Sequence, residues 1–194
     1  GMGLCLSEES KGLHIALLAG TGVLPFVDLY DLILQSALQA GQEQKDESCL
    51  PDELLKNFKV VTYVTFRSRK EALALDIMTN CETVCKQKGL ETASDFHYFY
   101  SAEDKKRLTV GIVDQDPELF KRAEKIYVCG PTGFNESFVS KLGEISIPRK
   151  KVFLIQSGNP QHSGSTANYL RQPNNPNEKQ VYLPRGESVL PANS

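Results

Sequence analysis

The sequence lacks the features that mark secreted, membrane-spanning or nucleic-acid-binding proteins. Its 194 residues carry a net charge of -2, so no basic excess is present to attract nucleic acid or an anionic membrane. No apolar run approaches the roughly 18 residues that a membrane-spanning helix needs, and no signal-peptide pattern opens the chain. These absences favour a soluble, cytoplasmic domain whose partners are small molecules or uncharged protein surfaces.

The cysteine content is also far below that of a disulfide-stapled fold. The five cysteines are odd in number and lack the density and pairing of a disulfide framework, as expected in a reducing compartment. Cys81 and Cys85 lie four residues apart on a predicted helix, but no further metal ligands stand near them in the sequence, so a half-buried helix face explains them and no metal site is predicted. The three histidines have no serine or acidic context that suggests a catalytic triad.

What the sequence does contain is an alternation of short apolar runs with segments of helical periodicity. This rhythm is typical of an α/β fold in which helices cover both faces of a parallel sheet. Five strands are predicted, at residues 15–19, 59–66, 95–101, 124–130 and 150–156. Helices are predicted after the first strand, near 52–56, over 70–89, and from a cap at Asn135 to a stop at Gly143.

Two of these strands end in glycine turns. The first, AGTGVLPF at residues 19–26, lets the backbone approach a ligand through Gly20 and Gly22, and Pro25 suits the first turn of the following helix. Helix N–H groups beyond such a turn favour a pyrophosphate. The turn is neither a Walker loop nor the Gly-x-Gly-x-x-Gly fingerprint, and taken alone it is equally compatible with an ordinary tight turn.

The second turn, VCGPTGF at residues 128–134, places a cysteine at the end of a buried strand. Together the two turns resemble the nucleotide-binding half of the ferredoxin–NADP reductase superfamily, which includes cytochrome b5 reductases, ferric reductases and NADPH oxidase tails. The resemblance covers residues 14–155, and it implies a five-stranded parallel sheet that binds NAD(P)H. By the resemblance, the pyrophosphate is framed by Gly20, Thr21, Gly22 and Pro25, and the nicotinamide side is lined by Cys129, Gly130, Pro131 and Phe134.

In that family the thiol matching Cys129 helps to orient the nicotinamide for hydride transfer to the flavin, without a covalent step. Cys129 is therefore the catalytic candidate. The alternative is a buried structural cysteine, since free cysteines are often buried.

The adenosine end of the site is expected after the second and third strands. Arg67 follows the second strand and Ser101 follows the third, with further basic residues nearby, so a 2′-phosphate would find positive charge there. NADPH-selective relatives tend to carry an arginine directly after the serine, where this chain has Ala102. Exposed charges on surface loops remain the alternative, and the choice between NADH and NADPH stays open.

The resemblance and the composition together divide the chain into three parts. Residues 1–13 resemble the end of a flavin-binding domain or a linker, residues 14–156 form the NAD(P)H-binding domain, and residues 157–194 read as an extended tail. The tail is expected to lie across its own domain or a second copy through the segment at 181–183, which leaves a homo-oligomer open.

The resemblance implies a module that positions NAD(P)H for hydride transfer to FAD on a separate domain, with haem, iron or an iron–sulfur centre as the final acceptor. FAD is expected in the full-length protein and not in this chain. The sequence leaves open whether upstream segments attach the protein to the cytosolic face of a membrane. The alternative function is a non-catalytic nucleotide-binding or interaction module.

Overall fold

The computed structural model describes residues 11–42, 49–90, 93–103 and 107–155. Within them, five parallel strands form one sheet, as the sequence predicts. The strands are β1 (Gly12–Ala19), β2 (Phe58–Phe66), β3 (Ser94–Tyr100), β4 (Lys125–Cys129) and β5 (Val152–Ile155). The helices are α1 (Val27–Leu38), α2 (Asp52–Asn57), α3 (Leu75–Gln87), α4 (Gly111–Gln115), α5 (Pro117–Arg122) and α6 (Thr132–Glu144).

The spatial order of the strands is β3-β2-β1-β4-β5. The chain builds outward from β1 to β3, then returns to place β4 on the other side of β1. Ile15 consequently has Val61 as its partner on β2 and Ile126 as its partner on β4. The order of strands therefore reverses between β1 and β4, which is where open α/β sheets bind ligands.

Strand β1 is buried on both faces, which explains its continuous apolar sequence. Ile15 and Leu17 belong to one hydrophobic cluster, whereas Ala16 and Leu18 belong to the other. On the first face the cluster includes Phe120 of α5 with Phe138 and Leu142 of α6, and on the second it includes Tyr30 and Ile33 of α1 with Met78, Cys81 and Cys85 of α3. Helices thus cover both faces of the sheet, and the predicted fold class is confirmed.

The structure differs from the prediction between the third and fourth strands, where no element was expected. The two short helices α4 and α5 lie there. Asp116 caps α5 by accepting the N–H of Leu119 at 2.9 Å, and Pro117 occupies the first helical position. An Asp-Pro pair at a helix start is a recognisable signal that could have located α5.

The prediction that Asn135 caps the last helix is wrong. Helix α6 begins at Thr132, directly after the second glycine turn, so Asn135 lies inside its first turn. Gly143 does not end this helix either, because α6 continues to Glu144 and Ser146 adopts the left-handed conformation, with φ at +65°. Backbone pairing after the helix overrides the glycine signal, since Ile147 N–H donates to the Leu142 carbonyl oxygen at 3.0 Å.

The predicted tail at 157–194 and most of the predicted N-terminal segment at 1–13 lie outside the described residues. The expectation of a tail contact through 181–183 therefore stays a prediction. In the part of the chain that the structure describes, no helix combines the length and apolar character needed to cross a bilayer.

Candidate functional site

The two glycine turns meet at the carboxyl ends of β1 and β4. Gly22 packs directly against the backbone of Cys129: a Cβ atom placed on Gly22 would contact the Cys129 carbonyl oxygen and lie 2.7 Å from its carbonyl carbon. Because both contacting groups belong to the backbone, neither can rotate out of the way. Only glycine fits at position 22 in this arrangement.

Gly130 is confined in the same way on the other side of the contact. A Cβ atom there would lie 2.8 Å from Cδ1 of Phe134 and 2.9 Å from Cβ of Ala19. Ala19 ends β1 and Phe134 lies in the first turn of α6, so Gly130 is held between the two strand–turn–helix units. Phe134 itself is half-buried and packs against Phe138 with ring centroids 4.7 Å apart.

The first turn has a different local structure from the one predicted. Gly20–Phe26 forms a 3₁₀ segment, and α1 begins only at Val27, so Pro25 lies inside the 3₁₀ segment and not in the first turn of the α-helix. Gly20 has a φ of +55°, a conformation that favours glycine. Thr21 and Pro25 are exposed while Gly22 is buried, so the turn presents one face to solvent and the other to Cys129.

Cys129 ends β4 and is 2% exposed. Burial raises the pKa of its thiol to about 11, so the group stays protonated at neutral pH. A buried neutral thiol is a poor nucleophile. The position suits packing against a ligand ring or against the core, and it does not suit covalent chemistry.

The turns after β2 and β3 also lie side by side. The backbone N–H of Ser101 donates to the Phe66 carbonyl oxygen at 3.0 Å, and that of Ala102 donates to the Arg67 carbonyl oxygen at 2.9 Å. Backbone hydrogen bonding between the two segments therefore continues past the ends of β2 and β3. Arg67 is exposed and Ser101 is half-buried, so the two residues predicted to meet the adenosine end are neighbours at the same edge of the sheet.

Sequence reasoning missed Glu103, which joins these two turns. Its carboxylate accepts the backbone N–H of Arg69 at 2.8 Å and lies 3.6 Å from the Arg69 side-chain Nε. The Arg69 guanidinium also lies over the Tyr100 ring, 5.1 Å from its centroid. The positive charge of Arg69 is thus partly neutralised by a neighbour distant in sequence, which no local pattern reveals.

Cys81 and Cys85 are both buried on α3, where Cys81 Sγ donates to Ser94 Oγ at 3.6 Å. Both belong to the hydrophobic cluster between the sheet and its covering helices. In the described ranges, no three His, Cys, Asp or Glu side chains come together in a way that could hold a metal ion.

No protein-family model matches the chain, and no curated protein sequence matches it either. Its fold is similar to parts of larger solved structures. A flavohemoglobin from Malassezia yamatoensis with bound FAD and heme is 20% identical with a TM-score of 0.51, over 79% of this chain and 33% of that one. Ferredoxin-NADP+ reductase from Plasmodium falciparum with 2′P-AMP is 13% identical with a TM-score of 0.53, over 77% and 54%.

The CS-b5R domains of human Ncb5or, in their NAD+ form, give a TM-score of 0.52 at 16% identity, over 76% of this chain and 37% of that one. The matched part thus covers between 33% and 54% of the length of these three solved chains. The resemblance noted in the sequence is confirmed at the level of fold, because the chain is similar in structure to parts of a flavohemoglobin, a cytochrome b5 reductase-type protein and a ferredoxin-NADP+ reductase.

Proposed function

We propose that this chain binds NAD(P)H and positions its nicotinamide for hydride transfer to FAD on a separate domain. One observation carries the proposal: the two glycine turns touch at the point where the strand order reverses, with Gly22 against Cys129. A ligand bound at that point would meet the backbone of both turns at once. Three strand spacings of about 4.8 Å each separate the carboxyl end of β3 from that of β4, a distance of about 14 Å. An extended dinucleotide is long enough to cover that distance, with its adenosine at one end and its nicotinamide at the other.

Each candidate residue has a role in this proposal. Gly20, Thr21, Gly22 and Pro25 would face the pyrophosphate, Arg67 and Ser101 the adenosine end, and Cys129, Gly130, Pro131 and Phe134 the nicotinamide. FAD, when bound to its own domain, would accept the hydride. The residues of this chain would bind and orient the nucleotide. A further acceptor such as haem, iron or an iron–sulfur centre belongs to the same proposal.

The proposal is tested by calorimetric titration of the chain with NADH, NADPH and ADP-ribose, which lacks the nicotinamide. Binding of at least one of the two reduced nucleotides is expected, and absence of binding by all three would contradict the proposal. Rapid mixing of NADH, and separately of NADPH, with the protein that includes the flavin domain distinguishes the catalytic function from the non-catalytic alternative. A competent module reduces the flavin, whereas a sensing module binds nucleotide and leaves the flavin oxidised.

Replacing Cys129 with serine in the protein that includes the flavin domain should slow flavin reduction more than it weakens nucleotide binding. The reason is that a group which aligns the reacting ring contributes mainly to the rate of transfer. Stopped-flow flavin reduction and nucleotide titration measure the two effects separately. Equal losses in both would indicate a structural thiol whose replacement disturbs the pocket.

Replacing Glu103 with glutamine should raise the affinity for NADPH relative to NADH. The substitution removes the carboxylate that pairs with Arg69 and leaves the guanidinium free to meet a 2′-phosphate. Because the pair is partly exposed, the expected change is modest, about fivefold in the ratio of dissociation constants. Glu118→Gln on α5 is the matched control, since it removes the same charge from another exposed ion pair, the one that Glu118 forms with Lys121 at 2.8 Å. A parallel change in both affinities would contradict the assignment.

A further inference from the structure

The geometry assigns a positioning role to Asn135: we propose that its side-chain amide holds the Gly130 carbonyl and so orients the Cys129–Pro131 turn toward the nicotinamide ring. The inference rests on the nucleotide-binding function proposed above. It concerns a residue whose sequence pattern indicated only a helix cap.

Asn135 holds two successive carbonyl groups of the turn. Its backbone N–H donates to the Pro131 carbonyl oxygen at 3.0 Å, which closes the first turn of α6. Its side-chain Nδ2 donates to the Gly130 carbonyl oxygen, also at 3.0 Å. One residue therefore fixes the direction of the two peptide groups that contain the Gly130 and Pro131 carbonyls.

This control matters because the turn has few other hydrogen bonds that could fix the direction of the Gly130 carbonyl. Pro131 has no N–H to donate, and Gly130 has no side chain to limit rotation of its own backbone. The Gly130 carbonyl also precedes the first helical hydrogen bond, so α6 provides no backbone N–H for it in the regular helical pattern. The Asn135 amide takes the place of that missing donor.

Asparagine has opposing effects on stability at this position, because its Nδ2 satisfies the Gly130 carbonyl while its Oδ1 does not gain a partner in the described part of the chain. The residue is 3% exposed, and its Oδ1 atom is buried without a hydrogen-bond partner among the described residues. A buried unsatisfied acceptor is destabilising, and an apolar side chain of the same branched shape would remove that cost but would leave the Gly130 carbonyl without its side-chain donor. Keeping the amide makes sense if the direction of the Gly130 carbonyl is what the site requires.

The test compares the two ends of the nucleotide in one experiment. Saturation-transfer NMR with NADH gives separate signals for the adenine and nicotinamide protons, and ADP-ribose titration measures affinity without the nicotinamide. In Asn135→Leu we expect nicotinamide signals to fall about fivefold relative to adenine signals, as for the loss of one hydrogen bond, with ADP-ribose affinity unchanged. Ser137→Ala is the matched control, because Ser137 Oγ donates to the Gly133 carbonyl oxygen on the same helix at 2.7 Å. It should leave the ratio unchanged.

A second variant covers the case in which Asn135→Leu fails to fold. In Asn135→Asp the neutral carboxyl can donate to the Gly130 carbonyl, whereas the ionised carboxylate cannot. The ratio of nicotinamide to adenine signals should therefore match the wild type at low pH and fall as the introduced carboxyl ionises, while the wild-type ratio stays flat. An unchanged ratio in both variants, or an equal loss at both ends of the nucleotide, would overturn the inference. Failure of the wild-type chain to bind NADH, NADPH or ADP-ribose would instead overturn the proposed function.

Discussion

Gly22→Ala is expected to weaken nucleotide binding and to destabilise the fold. The added methyl group would occupy the space of the Cys129 carbonyl, and both sides of that contact are backbone. The two turns would have to move apart, since no side chain can rotate to make room. Overpacking of this kind lowers the free energy of unfolding by about 3 kcal/mol. We also expect the dissociation constant for NAD(P)H to rise at least about tenfold, a loss of about 1.4 kcal/mol.

Gly133→Ala is the matched control for this experiment. Gly133 lies in the first turn of α6, close in sequence to the second glycine turn, but nothing lies within 4 Å of the position that its Cβ would take. Alanine there should stabilise the helix by about 0.5–1 kcal/mol and leave nucleotide binding unchanged. Urea unfolding and calorimetric titration measure both quantities. A stable, nucleotide-binding Gly22→Ala variant would show that the two turns need not touch for the site to form.

Acidification from pH 7.5 to 4.5 should remove about 2–3 kcal/mol of stability through His14 alone. The ring is 1% exposed and packs against Phe58 and Tyr127, with centroids 4.8 Å and 6.2 Å away. Burial, reinforced by the nearby charge of Lys125, lowers its pKa from 6.5 to about 4. The unfolded chain therefore binds a proton as the pH falls below 6.5, before the folded chain does. The His14 contribution is complete above pH 6.5 and is lost as the pH falls from there toward 4.

The measurement is urea unfolding at the two pH values for the wild type and for His14→Phe. The variant keeps an aromatic ring at the position and removes the proton-binding group, so its stability should fall less over the same interval. Asp95 does not confuse the comparison, because its pKa is lowered by its hydrogen bond with His97 in both proteins. An identical acid-induced loss in the wild type and the variant would show that another group is responsible.

Much of the fold could be predicted because parallel strands buried on both faces have a recognisable sequence. Runs such as residues 15–19 are continuously apolar, and the helices that cover them show the periodicity of a half-buried surface. The boundaries were less certain, as Gly143 and Ser146 illustrate. A glycine predicts a helix end only when the backbone beyond it has no better partner, and here the Leu142 carbonyl finds one at Ile147.

The sequence by itself determined the α/β class and the presence of a glycine turn after β1 and another after β4, because both depend on local composition and on the backbone freedom of glycine. Only the tertiary structure decided that these turns touch, that Glu103 pairs with Arg69, and that the Asn135 amide reaches the Gly130 carbonyl. The first two contacts join residues far apart in the chain, and they exist because the chain returns to place β4 beside β1 and continues the pairing of β2 with β3. The third joins residues five apart, yet it depends on α6 starting at Thr132 directly after the turn. Each contact follows from the packing of whole elements, which no short stretch of sequence specifies.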